Sequence, residues 1–206
     1  MKKYLMILIL SIFSFVVLHG QTQEEISINQ YNSGKTNKFS SRGEGKSQGL
    51  KINIKYPESW KSLEGEHTNV VRKFTQPEGY VMGLILINKL DAEITKSEID
   101  EFMATEGLKS LLSPSAKYIS SNSNLKIEGL RSSSIEFTDT NQRLDLTIYT
   151  HCLFYFIAYK QYLISIQFFV SGNSDETIAA VNERYERIKL LFPSMFNSIV
   201  IDNIWE

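Results

Sequence analysis

Cysteine is the scarcest residue of this 206-residue chain. The one copy, Cys152, rules out an intrachain disulfide, so stability has to come from a packed core. Proline is nearly as rare, with four copies, and neither sign of charge is in excess: 22 basic and 23 acidic residues leave a net charge of −1. That balance excludes the basic footprint of a nucleic-acid binder and a strongly charged membrane-binding surface. Histidine is sparse too. Beyond residue 20 the sequence keeps His67 and His151, and nowhere do His, Cys, Asp and Glu gather at metal-ligand spacing.

Catalytic motifs are equally thin. There is no Gly-x-Ser-x-Gly elbow and no Gly-x-Gly-x-x-Gly. Gly45-Lys46-Ser47 imitates the end of a phosphate loop but lacks the earlier glycine at its required spacing and the buried strand before it. Asp91, Glu93, Glu98, Asp100 and Glu101 are not spaced as a calcium loop, and acids at a helix start are favoured by the helix dipole. His151 and Cys152 are adjacent, but neighbours on a strand point to opposite faces, so the imidazole cannot activate the thiol. These residues assign no catalytic, cofactor or metal role. An enzyme is not expected, and a hydrolase with dispersed catalytic residues is a distant alternative.

Long apolar runs are missing except at the start. Lys2 and Lys3 precede the nearly all-apolar Leu5–Leu18, and a polar stretch begins at Gln21. This is the layout of a secretory signal peptide over residues 1–20, cut near Gly20–Gln21, since the run is shorter than the ~20 residues of a spanning helix. An uncleaved anchor is the other reading. Export to a periplasmic or extracellular address is expected, with no membrane span after cleavage. Residues 21–48 are polar and rich in Ser, Gly, Asn and Lys, which reads as a flexible linker. Residues 49–206 then make one domain's length.

What is present is alternation. Arg143–Ser171 holds two apolar runs about Lys160–Gln161. Leu144, Leu146, Ile148, Cys152, Phe154 and Phe156 fall on even positions, and Thr147, Tyr149, His151 and Tyr155 on odd ones. After the turn Tyr162, Ile164, Ile166, Phe168 and Val170 are again even. A period of two in β-branched and aromatic residues predicts a long hairpin. Its even face is expected to be the apolar one and its odd face the wetter one, half apolar near the turn. Lys-Gln lacks the usual two-residue turn chemistry, which suggests a turn of three to five residues.

Upstream, Leu50–Tyr56 alternates up to Pro57, with Trp60 expected to close one end of the core. Val70–Phe74 and Tyr80–Ile87 flank the turn-forming Gln76–Gly79, and Gly83 marks a bulge or a close backbone approach. Thr95-x-x-Glu98 is a capping box opening a helix to about Leu112, weakened by Gly107. Lys117–Ser121, Leu125–Ile127 and Leu130–Thr138 read as strands, with a turn at Glu128-Gly129. A second helix should start near Asn173-Ser174 and end before Pro193, followed by a short strand in Ser198–Asp202. Two main helices on a mostly antiparallel sheet is an α+β architecture.

The segment Ile52–Trp60, INIKYPESW, resembles the opening of the PsbP/Mog1-like proteins, which begin with an apolar strand running into Tyr-Pro-x-x-Trp. The likeness continues through a hairpin, a mid-chain helix, an aromatic hairpin and the Phe196–Ile199 end, covering roughly 50–202. It implies an antiparallel sheet flanked by helices. Its members range over photosystem-associated lumenal proteins, a nuclear-transport GTPase-binding factor and small bacterial envelope proteins, and no functional residue of theirs carries over.

Two functions follow as expectations. One is a non-enzymatic exported protein that binds another envelope protein. Its contact surface would be the odd side and tip of the long hairpin: Tyr149, His151, Tyr155, Tyr159 and Tyr162. The same tyrosines are ordinary strand residues, and propensity also favours a core role for them. The other function is a carrier of a small apolar ligand in a pocket between sheet and helices, suggested by the aromatic content.

Overall fold

The computed structural model describes residues 21–143 and 146–206; the expected signal peptide lies outside the described residues. In chain order the elements are α1 (Gln23–Asn32), β1 (Thr36–Ser40), β2 (Ile52–Pro57), β3 (Lys61–Glu64), β4 (Val70–Thr75), β5 (Val81–Lys89), α2 (Lys96–Met103), α3 (Thr105–Lys109), β6 (Lys117–Ile127), β7 (Leu130–Arg143), β8 (Leu146–Tyr159), β9 (Tyr162–Ser171), α4 (Ile178–Ile188), α5 (Leu191–Asn197) and β10 (Val200–Ile201). Seven strands form one antiparallel sheet in the order β3-β4-β5-β9-β8-β7-β6. A second, three-stranded sheet has the order β1-β2-β10. The α+β architecture with helices against antiparallel sheet is the one expected.

Local chemistry explains most of the elements. Glu128 (φ 49°) and Gly129 (φ 81°) both take the left-handed region, as a tight hairpin between β6 and β7 needs. Gly83 of β5 lies under the Phe168 ring, where an added Cβ would come 3.2 Å from the ring edge, so the close approach is real. Trp60 is buried against the strand it follows.

The two faces of the large sheet carry different cores. On one, Ile85, Tyr155, Ile157, Ile166 and Phe168 pack with Val181, Tyr185 and Phe192 of α4 and α5, with Leu50, and with Ile52 and Ile54 of the small sheet. On the other, Met103 and Leu108 of α2 and α3 cover Ile135, Phe137, Cys152, Phe156 and Ala158.

The long hairpin corrects the expected sidedness. Tyr159 pairs with Tyr162, leaving a two-residue turn at Lys160 and Gln161, with Lys160 at φ 52° in the conformation usually left to glycine. In that register odd positions of β8 share a face with even positions of β9. The odd positions therefore face the larger core, not solvent.

Residues 21–48 are not a flexible linker. Thr22 and Glu25 form a reciprocal capping box that starts α1, and β1 pairs with β2 over its whole length. The helix has no broad apolar stripe, which is why its composition resembles a tail. Ile28 and Tyr31 pack on the larger core, and polar contacts hold the rest. Ser27 Oγ accepts the Trp60 indole N–H at 2.9 Å, Gln30 Oε1 accepts from Ser59 N at 3.1 Å, and the Tyr31 hydroxyl donates to Ser194 O at 2.9 Å.

Both expected helices break in two. Ala104 is extended (φ −66°, ψ 155°) between α2 and α3, and α3 folds back so closely that a Cβ on Gly107 would stand 2.3 Å from Glu101 O. Gly107 thus permits the fold-back. The second helix starts later than expected, capped by Thr177, and ends at Ile188. Pro193 then sits in the first turn of α5, where its missing N–H costs nothing.

Candidate functional site

The α2–α3 side of the sheet is only half covered. Along β7 the residues facing this side are Ile135, Phe137, Asp139 and Asn141; opposite them on β8 stand Phe154, Cys152, Thr150 and Ile148. Phe169 and Ser171 of β9 and Met82 of β5 extend the rows. The helices sit over the end near the Lys160 turn and leave the other end bare. Phe137, Phe154 and Phe169 form a ladder of edge-on rings with centroids 5.0 and 5.1 Å apart, running across β7, β8 and β9. Ile148, Phe154, Phe169, Met82 and Leu84 stay partly exposed.

A cleft of about 520 Å³ opens there, with Met82, Ile148 and Phe169 as apolar walls and Asp139, Asn141 and Thr150 as polar ones. A smaller depression of about 170 Å³, reaching Leu84, Lys73 and His67, shares Met82 with it. Cys152 lies on the cleft floor, 2% exposed. Burial, and then the Asp139 charge, push its thiol pKa up, so it is a poor nucleophile at neutral pH. Asp139 is held from the α3–β6 loop by the hydroxyls of Ser115 (2.7 Å) and Ser113 (3.1 Å) and by Thr140 N–H (2.7 Å). It is the only charged residue lining the cleft among those whose side chains are described.

The edges of the large sheet carry features that disfavour strand addition. β6 carries register breaks between Tyr118 and Ser120 and between Asn122 and Leu125, and β3 has four residues, beginning with Lys61 and ending with Glu64. Bulges and short charged strands are the usual guards of an edge.

The residues expected as a contact surface turn mostly inward. His151, Tyr155 and Tyr159 are buried, and Tyr149 and Tyr162 partly so, all against the larger core. Tyr155 stacks on Phe196 at 4.2 Å. The hydroxyls of Tyr159 and Tyr162 donate to Asn203 O and Gln48 O, each at 2.9 Å. Their polar tips thus find backbone acceptors from distant segments, which strand periodicity does not reveal. The residues of the open cleft were missed. The signal for them was Asp139 and Asn141 on alternate positions of β7, beside apolar neighbours.

His151 belongs to a buried polar cluster. Its ring stacks on Tyr185 (3.5 Å, 8° between planes), with Nε2 2.9 Å from Glu136 Oε1 and Nδ1 2.8 Å from Asn182 Oδ1. Hydrogen bonding from His151, helped by Ser120 and Tyr185, holds the Glu136 carboxyl below its ordinary pKa despite its burial. Burial, then the Glu136 charge, raise the Tyr185 hydroxyl. The cluster clamps α4 to β7 and β8. It presents no nucleophile, since Cys152 lies in the core on the opposite side of the sheet.

Among the described residues, no three His, Cys, Asp or Glu side chains converge as a metal site, and no helix is long and apolar enough to cross a membrane.

No protein-family model and no curated protein matches the sequence. Solved structures do match in fold. The Saccharomyces cerevisiae Ran-binding protein Mog1p aligns over 81% of this chain and 95% of its own, with a TM-score of 0.51 and 10% identity. A point mutant of Mog1 aligns over the same shares at 0.50 and 10%. A Bacteroides thetaiotaomicron VPI-5482 protein aligns over 81% of this chain and 48% of its own, at 0.43 and 16%. The chain has the Mog1/PsbP-like fold that its INIKYPESW segment resembles.

Proposed function

We propose that this chain is an exported, non-enzymatic protein that binds another protein of the cell envelope through the open face of its large sheet. The carrying observation is that face itself. It exposes part of Met82, Leu84, Ile148, Phe154 and Phe169 around a cleft, while the sheet edges are guarded. Aromatic and methionine side chains over a concave surface suit the centre of a protein interface. Export is supported by the Lys2-Lys3 start and the apolar Leu5–Leu18 run. A non-catalytic role is supported by the separation of His151 from Cys152. Mog1p, of the same fold, is a Ran-binding protein.

The test is site-specific photo-crosslinking in the native cell. A photoreactive residue at Met82 should yield discrete protein adducts, and one at Glu183, exposed on α4, should not. No adduct from Met82, or the same adducts from both positions, would count against the open face.

A second reading rests on a separate feature. A mostly apolar pocket of about 160 Å³ lies between α2 and the hairpin tip, lined by Leu90, Ile94, Ile99, Phe102, Ala158 and Leu163. Apolar cavities of about this size can hold a small aromatic molecule. Under this reading the chain carries such a ligand, and native mass spectrometry would show a small mass that leaves on denaturation.

A further inference from the structure

The charge of the open cleft says what kind of group it receives. Asp139 lines it, no basic residue does among those whose side chains are described, and none of the described ion pairs involves Asp139. The carboxylate is fixed by Ser113 and Ser115 from outside the sheet. Its position therefore does not depend on a ligand. Asn141 lies two residues along the same strand face, and Thr150 pairs with Asp139 across β7 and β8, so acceptors stand side by side. Ile148 is the cross-strand neighbour of Asn141, and the Phe169 ring and the Met82 side chain line the same cleft.

A carboxylate beside amide and hydroxyl oxygens matches the forked donors of a guanidinium. An apolar wall with an aromatic ring matches its flat cation and methylene stem. Lysine, a compact and strongly hydrated charge, uses such a wall less well.

The geometry points to this cleft as the receptor for an arginine side chain projecting from the partner protein. This rests on the protein-binding reading above and names the partner's chemistry at the site. Asp139 is the charge-pairing residue, Asn141 and Thr150 supply further acceptors, and Phe169 is the stacking surface.

The test uses the mature chain and N-acetyl-arginine methylamide as probe, with the neutral N-acetyl-citrulline methylamide as comparison. The methyl resonances of Met82 and Ile148 report occupancy by NMR. The arginine probe should shift them saturably, and roughly tenfold more tightly than the citrulline probe. Asp139→Asn should remove that preference. Asn141→Lys, at an exposed position, should abolish binding of the arginine probe while an unchanged thermal melt shows that the fold persists. Equal binding of both probes, no binding of either, or wild-type binding by Asn141→Lys would overturn the assignment.

A second arm separates this proposal from its parent. If photo-crosslinking at Met82 captures the same partner equally from wild type and from Asn141→Lys, arginine recognition fails and protein binding stands. If wild type captures nothing, both fail.

Discussion

Trp60 donates its indole N–H to Ser27 Oγ across 2.9 Å, and the same hydroxyl donates on to Gln23 O at 2.7 Å. Both side chains are buried. This pair ties an N-terminal helix of polar composition to the Tyr-Pro-x-x-Trp element and makes residues 23–32 part of the folded body. Ser27→Ala leaves the indole N–H buried without a partner, which costs about 1–3 kcal/mol. Urea unfolding should show a lower midpoint with an unchanged slope. An unchanged midpoint would mean that the helix contributes nothing to stability, as a linker would.

Glu136 sets an acid limit. Its carboxyl pKa is lowered from 4.5, first by the hydrogen bond from His151 and then with help from Ser120 and Tyr185. A folded-state pKa below the unfolded one gives stability that is fully present above the unfolded value and is lost as pH falls through the folded one. Stability should therefore decline below about pH 4.5, and Glu136→Gln should lose part of that decline. Glu98 and Glu176 are also lowered, but they titrate in both proteins and cancel in the comparison. Melting temperatures of the pair across pH 3–6 check this. Parallel curves would show that the carboxylate is not coupled to folding.

Cys152 should be inert while the protein is folded. It is buried beneath the cleft, and both burial and Asp139 disfavour its thiolate. A thiol reagent should label it only at the rate of unfolding, and Cys152→Ser should cost about 1–3 kcal/mol by placing a hydroxyl among apolar neighbours. Fast labelling under native conditions would contradict the packing.

What could be read in advance follows from which signals are local. The strands around Gln76–Gly79 and Glu128-Gly129 were legible because period-two patterning ends there at residues with turn chemistry. The Ile52–Trp60 segment announced the fold. The sidedness of the long hairpin was not legible, because it turns on Lys160 accepting a positive φ that its residue type disfavours. The helix 23–32 was signalled by Thr22 and Glu25, but its lack of an apolar stripe outweighed that capping box. The burial of the hairpin tyrosines has a non-local cause. Tyr155, Tyr159 and Tyr162 have the residue types of an interface and are satisfied inside by Phe196, Asn203 and Gln48. Asp139 and Asn141 became a site only once β7, β8, β9 and β5 lay side by side.

The most direct measurement is native mass spectrometry of the protein recovered from its own envelope fraction, for wild type beside Met82→Lys. The expected wild-type mass is that of a chain beginning near Gln21 with a second, protein-sized component, and that component should be missing from Met82→Lys. A wild-type chain alone, or one carrying only a small molecule that leaves on denaturation, would contradict binding of a protein at the open sheet face.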